Sequence, residues 1–356
     1  MAKANSRRGK ASYLSAALGS LAVAALACFP QVGAADESGV SFWVPGFYGS
    51  LAAVPQQPGW SIASIYYHTS PSATGSLAFE REVTVGGQAA NVTGSVNASL
   101  KAKADLALEV PSYVFATPVL GGQFALSMMG VYGHQKADVD ATLTGSVGGF
   151  DFTRSASVAG SVTGFGDLYP VAALRWNQGV NNFMIYATGD IPVGAYDSTR
   201  LVNMGIGHGA IDGGAGYTYL NPQTGHEFSA AGGFTYNLKN PDTQYQSGVD
   251  FHLDLAASQF LTKQLFVGIV GYTYQQVTAD SGGLPILGDF KSRVSGVGPQ
   301  IGYMFPVGGM QGYLNLKGYK EFDAEHRAAG WNTWLTLSIS PAAPAPTAPS
   351  RHLVSK

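Results

Sequence analysis

The stretch Glu227-Phe228-Ser229-Ala230-Ala231-Gly232-Gly233-Phe234-Thr235-Tyr236-Asn237-Leu238 alternates between two kinds of side chain. The row that starts at Glu227 is small or polar, and the row that starts at Phe228 is mostly apolar or aromatic. Successive side chains of an extended strand point to opposite faces. One face of this strand therefore suits water and the other suits hydrocarbon, as in a sheet that closes around water within a lipid bilayer.

The same alternation recurs in about twelve segments between Trp60 and Ser340. They are Trp60 to Thr69, Ala104 to Thr117, Gln123 to Gln135, Asp167 to Asn177, Asn181 to Ile191, Ala210 to Leu220, Glu227 to Leu238, Val249 to Leu261, Gln264 to Thr278, Ser292 to Phe305, Gln311 to Glu321 and Gly330 to Ser340. A soluble β-sandwich or propeller would also alternate. In these segments, however, the apolar rows are continuous and end in aromatics, and the opposite rows are rich in Gly, Ser, Thr and Asn. This pattern favours an all-β fold, a transmembrane antiparallel β-barrel of about 12 strands over residues 60–340.

Two polar stretches interrupt this regular series. Ser76 to Lys103 and Ala137 to Gly164 read as long hairpin extensions, and we expect them to be extracellular. The short connections, such as Asn177-Gln178-Gly179, suit tight turns at the opposite end of the barrel.

The N-terminus indicates export. Arg7, Arg8 and Lys10 precede an apolar stretch from Tyr13 to Phe29, the layout of a secretory signal peptide over residues 1–34. Its removal by the Sec route would take away Cys28, the single cysteine of the chain, and four basic residues. The 20 basic and 22 acidic residues would become 16 and 22, a balance that disfavours nucleic acid as a partner.

Assigning the faces of the strands predicts a set of lumen-facing side chains. Charges at the lipid face cost about 2 kcal/mol or more near the bilayer midplane, so they should point inward. The predicted lumen residues are Asp167, Arg175, Asp190, Asp212, Glu227, Asp250, His252, Asp254 and Lys317. Their excess of carboxylates has two interpretations: a pathway that disfavours anions, or a set of structural pairs with the cations and tyrosines of the lumen. We favour the second.

Catalytic and metal-binding patterns are weak. Asp250-x-His252-x-Asp254 could supply metal ligands or a base with an orienting acid. The sequence contains no Gly-x-Ser-x-Gly in a strand-to-helix context and no His-Glu-x-x-His. We therefore expect a non-enzyme with no cofactor, no metal site and no catalytic residues.

Several ordered motifs resemble one family. They are Ser41 to Gly49 (SFWVPGFYG), Gly164 to Asp167, Thr188 to Gly194 (TGDIPVG), the run from Ala210 to Gly248, and Gly298 to Tyr303. Over about Ser41 to Ser340 the chain resembles the outer-membrane proteins of the "putative MetA-pathway of phenol degradation" family. The resemblance implies a transporter-like barrel in the bacterial outer membrane, with small aromatic or other hydrophobic compounds as cargo, and it brings no established set of functional residues.

Residues 35–59 form the most informative segment outside the strands. Phe42, Trp43, Pro45, Phe47 and Tyr48 could fold inward as a plug that gives a hydrophobic solute an apolar resting place. They could equally seal the periplasmic rim. At the other end, residues 341–356 open Pro-Ala-Ala-Pro-Ala-Pro and are expected to form a disordered tail.

The function expected from these observations is passive uptake of small, hydrophobic or aromatic compounds across the outer membrane. The alternative is a structural or surface-interaction barrel without transport, whose long extensions contact other cells or envelope components. The expected partners are the lipid bilayer and lipopolysaccharide, the solutes themselves and the outer-membrane assembly machinery.

Overall fold

The computed structural model describes residues 41–85, 88–147, 150–282 and 291–343. The predicted signal peptide and the last part of the predicted tail lie outside these ranges. The described chain forms thirteen strands: β1 (Gly59–Thr69), β2 (Ser72–Val85), β3 (Gln88–Val114), β4 (Gln123–Val147), β5 (Phe150–Gln178), β6 (Asn181–Asp190), β7 (Ala210–Leu220), β8 (His226–Asn237), β9 (Asp250–Phe260), β10 (Leu265–Gln276), β11 (Arg293–Val307), β12 (Met310–Glu325) and β13 (Trp331–Pro341).

Twelve of these strands close into an antiparallel barrel. Consecutive strands pair from β3 to β13, and β1 pairs with both β13 and β3. The register places Tyr67 opposite Trp334 on one side and opposite Leu106 on the other. The barrel class and the count of about twelve wall strands are therefore confirmed, and every wall strand has a partner on both sides, as a bilayer requires.

The thirteenth strand, β2, lies outside the closed wall. It pairs with β3 along Ser72 to Val85, while the later part of β3 pairs with β1. The β3, β4 and β5 strands have 27, 25 and 29 residues, whereas a transmembrane strand needs about 9–11. The two predicted polar extensions thus consist of most of β2 and the far ends of β3, β4 and β5, which together form a four-stranded sheet beyond the barrel.

The two faces of the wall differ as the alternation predicts. Along β8 the buried residues include Glu227, Ser229 and Thr235, while Phe228 and Phe234 are exposed. A similar row of exposed apolar residues occurs on the other strands, including Ile62, Ile185, Ile269, Leu316 and Leu337. The outer surface is consequently apolar and the inner surface carries the polar groups. The described residues contain no helix long and apolar enough to cross a membrane.

The connections fall into two groups. At one end the strands are joined by short turns at 179–180, 221–225, 261–264 and 308–309, and at the other by longer segments that include 191–209 and 238–249. In the short turns Gly179, Gly225 and Gly309 have positive φ angles of 69°, 74° and 79°, which glycine adopts without steric cost.

Replacing Ile269 by Arg tests the lipid-facing surface. Ile269 is in the middle of β10, pairs with Ala257 and Pro299, and is 63% exposed. An Arg near the bilayer midplane should destabilise the barrel by about 2–4 kcal/mol. Urea unfolding in lipid vesicles would measure the loss, with Gln223→Arg in an exposed turn as the control. Equal stability of the two variants would contradict a lipid-facing β10.

Candidate functional site

Residues 41–56 run along the inner side of the barrel and bind it mainly through their backbone. The Asp254 carboxylate on β9 accepts hydrogen bonds from the Gly46 N–H at 2.8 Å and the Tyr48 N–H at 3.0 Å. The Lys317 ammonium on β12 donates to the carbonyl oxygens of Gly46, Phe47 and Tyr48, the last two at 3.0 Å. Two buried charges of opposite sign therefore hold both kinds of backbone group in one turn of this segment.

The next residues of the segment contact β7 and β8. The Glu227 carboxylate accepts from the Ser50 hydroxyl at 2.7 Å and from the Leu51 N–H at 2.9 Å. The Ala53 N–H donates to the Thr218 hydroxyl at 3.1 Å. The Arg175 guanidinium donates to the Ala52 carbonyl at 3.4 Å. These contacts satisfy backbone groups that have no secondary structure of their own.

The segment extends from the turn end of the barrel to its loop end. The Gln56 N–H donates to the side chain of Gln123, the first residue of β4, at 2.7 Å. Near the other end, the Arg327 guanidinium in the β12–β13 connection donates to the Ser41 hydroxyl at 3.3 Å. The sixteen residues thus pass along the whole height of the inner wall.

Aromatic side chains of the segment pack on aromatic side chains of the wall. The Trp43 ring stacks on the His252 ring with 3.6 Å between centroids, and on the Tyr186 ring at 6.1 Å. Phe42 contacts Tyr169 at 5.7 Å, and Phe47 contacts Trp334 at 6.1 Å. Phe42, Trp43 and Pro45 are buried, while Phe47 and Tyr48 are partly buried. The inner wall therefore offers a row of ring-sized apolar contacts.

Gly46 is fixed by two independent constraints. Its φ angle is +87°, a conformation that residues with a side chain rarely adopt. A Cβ at this position would also lie 2.9 Å from the Tyr319 ring. The Pro45-Gly46 turn that the sequence suggests therefore brings the backbone against β12, within reach of Lys317.

Eight of the nine side chains predicted to face the lumen are buried, and Arg175 is partly buried. Four of them, Arg175, Glu227, Asp254 and Lys317, hydrogen bond to the N-terminal segment as described above. Asp212 and His252 form a separate pair, with 2.8 Å between the carboxylate and Nε2, and Thr235 donates to the same carboxylate oxygen at 2.6 Å. Asp250 accepts from Asn237 at 2.8 Å.

The remaining two carboxylates lie at the loop end of the barrel. The Asp167 carboxylate accepts from the Gly194 N–H at 2.7 Å and from the Ile206 N–H at 2.8 Å, which ties the 191–209 connection to β5. Asp190, at the end of β6, is 8% exposed, and neither of its carboxylate oxygens has a hydrogen-bond partner among the described residues. The structure thus does not bring the nine residues into one site.

Several contacting residues are absent from the predicted set. Gln300 on β11 donates to the hydroxyls of Ser50 at 2.8 Å and Ser258 at 2.9 Å. Arg327 lies over the Tyr274 ring at 4.6 Å. The polar row of β11 contains Gln300, so alternation alone would have placed its side chain in the lumen. Arg327 is in a connection, where alternation gives no information.

Within the described residues, no group of three or more His, Cys, Asp or Glu side chains could hold a metal ion. Asp212 and His252 are adjacent, but a ring of Trp43 covers the imidazole. The Asp250-His252-Asp254 pattern is therefore divided among three different sets of contacts: Asn237, Asp212 and the N-terminal segment.

Substituting Lys317 by Met tests the contribution of Lys317 and Asp254, the two buried side chains that bind the backbone of Gly46. The variant removes three donors to backbone carbonyls and leaves the Asp254 carboxylate without its neighbouring cation, so unfolding free energy should fall by about 3–5 kcal/mol. Lys320→Met on the exposed face of the same strand is the matched control and should cost under about 1 kcal/mol. Denaturant unfolding of both, and of Lys317→Met with Asp254→Asn, would measure the coupling. Additive losses in the double variant would contradict a shared contact.

Comparisons with known proteins agree with the barrel fold. The sequence profile described as "Putative MetA-pathway of phenol degradation" matches residues 84–337. A comparison with curated proteins finds no sequence match. Among solved structures, the outer membrane channel from Pseudomonas putida F1 is similar at 14% identity with a TM-score of 0.58, covering 83% of this chain and 98% of that one.

A FadL homologue from Pseudomonas aeruginosa is more distant. It is 9% identical over 83% of this chain and 94% of that one, with a TM-score of 0.39. The first similarity supports a shared barrel fold, and the profile covers well over half of the sequence. The chain therefore belongs to the "Putative MetA-pathway of phenol degradation" family and shares the β-barrel fold of an outer membrane channel.

Proposed function

We propose that this protein is an outer-membrane channel for passive uptake of small hydrophobic or aromatic compounds, in which residues 41–56 plug the lumen. The observation that carries the proposal is the way this segment is bound. Buried charged side chains, above all Asp254 and Lys317, hold its backbone, while its aromatic side chains pack on the rings of the inner wall.

These two kinds of contact explain how a solute could replace the N-terminal segment in the lumen. When the segment leaves the inner wall, water can hydrogen bond to its backbone and can hydrate the charged side chains that held it. The rings of Tyr169, Tyr186 and Trp334 would then lose the contacts of Phe42, Trp43 and Phe47. A flat apolar solute offers the same ring contacts and would occupy the same places.

The nine side chains that the sequence predicts to face the lumen are proposed to line it. Most of their carboxylates are proposed to have a structural role. Asp254 and Glu227 accept hydrogen bonds from the segment, and Asp167 accepts them from the 191–209 connection. These carboxylates serve as fixed acceptors for backbone groups. That role favours the structural interpretation of the acidic lumen over an ion-selective filter, and the protein is proposed to be a channel without catalytic activity.

Export and membrane insertion follow from the same proposal. Residues 1–34 would direct the chain through the Sec route, and the outer-membrane assembly machinery would insert the barrel. The apolar outer surface would contact lipid tails, and the loop end with its four-stranded sheet would face the lipopolysaccharide of the outer leaflet.

The four-stranded sheet favours one second candidate, a surface-interaction barrel without transport. Strands β2 to β5 extend well beyond the length needed to cross a bilayer. Planar-bilayer conductance and growth of a deletion strain on aromatic carbon sources would separate the two functions. A silent barrel with unaffected growth would support the second and contradict uptake.

A reversible crosslink tests the plug directly. The Ser50 and Ser258 hydroxyls are 2.7 Å apart, and Cys28 in the predicted signal peptide is the sole native cysteine. Ser50→Cys with Ser258→Cys should form a disulfide that fixes the segment to β9. We expect oxidised protein to lose most uptake of a small aromatic probe into proteoliposomes, and reduction to restore it.

The single variant Ser258→Cys is the control, since it keeps the wall but cannot crosslink. It should transport equally in oxidising and reducing buffer. Equal uptake by the oxidised and reduced double variant would contradict a mobile plug.

Deleting residues 36–56 tests the same proposal in a second way. Removal of the segment empties the space between β7, β8, β9 and β12, so single-channel conductance should rise severalfold. The shorter deletion of residues 343–356, which follow the last strand in the sequence, serves as the control. An unchanged pore after the N-terminal deletion would mean that the segment does not limit permeation.

A further inference from the structure

Two lysines lie directly opposite each other on the outer face of the sheet. Lys103 on β3 pairs with Lys136 on β4, and both side chains are exposed. The neighbouring residues Ala104 and Ala137 are buried, so the lysines point away from the inner side. Like charges directly opposite in an antiparallel pair destabilise the sheet unless a counter-charge is present.

Among the described residues, no carboxylate forms an ion pair with Lys103 or Lys136. The two nearest acids on this face have other neighbours. Asp138 is opposite Lys101 in the ladder. Asp105 accepts from the Tyr66 hydroxyl at 2.6 Å and lies 2.7 Å from His68 Nδ1.

The position of the lysines relative to the aromatic residues sets their height in the membrane. On β4 the outward side chains run from Tyr132 through His134 to Lys136, and the Tyr132 ring contacts Phe165 at 4.9 Å. Exposed aromatic rings mark the boundary between hydrocarbon and headgroups in outer-membrane barrels. Four residues correspond to about 14 Å along a strand, or roughly 10 Å along the membrane normal for a tilted strand. The ammonium groups therefore reach the headgroup layer.

A serine hydroxyl lies beside the two lysines, and we call the three residues the lysine patch. Ser161 on β5 is opposite Lys136 and is exposed on the same face. Two ammonium groups and a neighbouring hydroxyl are donors that suit the oxygens of a phosphate group.

We propose that Lys103, Lys136 and Ser161 bind a phosphate of a phosphorylated glycolipid in the outer leaflet, the chemistry of lipid A. This inference rests on the membrane placement in the proposed function and does not depend on transport. The phosphate supplies an ion-pair partner that the two lysines do not have in the sheet, and Tyr132 and Phe165 lie beneath it where acyl chains begin.

The test measures binding of two lipids to the detergent-solubilised full-length mature protein by native mass spectrometry. The probes are bisphosphorylated lipid A and the same lipid after chemical removal of its phosphates. The wild-type protein should bind the phosphorylated form about tenfold more tightly. Equal affinity for the two forms would overturn the proposal without the need for any variant.

Variants assign the effect to these residues. Lys103→Ala with Lys136→Ala should weaken binding of phosphorylated lipid A about tenfold, and Lys103→Arg with Lys136→Arg should retain it. Lys239→Ala with Lys263→Ala removes the same charge from exposed positions elsewhere and should bind like the wild type. Unchanged binding by the alanine variant, or an equal loss in the control variant, would overturn the assignment.

The lipid A binding test and the test of transport can fail independently of each other. A channel that fails the Ser50–Ser258 crosslink test can still bind lipid A through this patch, because the patch is on the outer face. A mature protein that remains monodisperse in buffer without detergent would contradict the membrane placement itself, and with it both proposals.

Discussion

The structure depends on a reciprocal need for hydrogen bonds inside the barrel. Asp254, Glu227 and Lys317 are charged and buried, and unpaired buried charges cost several kcal/mol each. Residues 46–51 have backbone donors and acceptors without a strand partner, and these groups also require hydrogen bonds. Each set satisfies the other. The charges of the inner wall therefore specify the path of the N-terminal segment, and hydrogen bonds from the segment offset the free-energy cost of burying those charges.

Much of the wall follows from period-two alternation. The prediction for Ala210 to Leu220 coincides with β7, and most other boundaries differ by one to three residues. Alternation works here because lipid outside and polar groups inside impose opposite demands on neighbouring residues. It also identified the polar ends of β3, β4 and β5 as extensions. It also left most of β2 out of the twelve wall segments, within the extension from Ser76 to Lys103. It did not reveal that the extensions pair with one another in a four-stranded sheet, since pairing between polar strands of similar pattern is not encoded in either strand alone.

The site was predicted only as separate residues. The sequence indicated that Asp254 and Lys317 point inward and that the Pro45-Gly46 turn is special, but not that they meet. Which strands face each other across the lumen depends on closure of the whole wall, a non-local property that no short pattern encodes. The same limit explains Ser50, Ser258 and Gln300, three ordinary polar residues from distant parts of the chain that join in one set of hydrogen bonds.

The contacts of Gly46 also constrain the order of biogenesis. Its partners Asp254 and Lys317 follow it by 208 and 271 residues, and β1 completes the wall by pairing with β13. A segment near the start of the chain is thus anchored by some of the last parts to be synthesised. Seating of residues 46–51 has to coincide with closure of the cylinder or follow it, so these residues are synthesised before most of the wall but are among the last to reach their native positions.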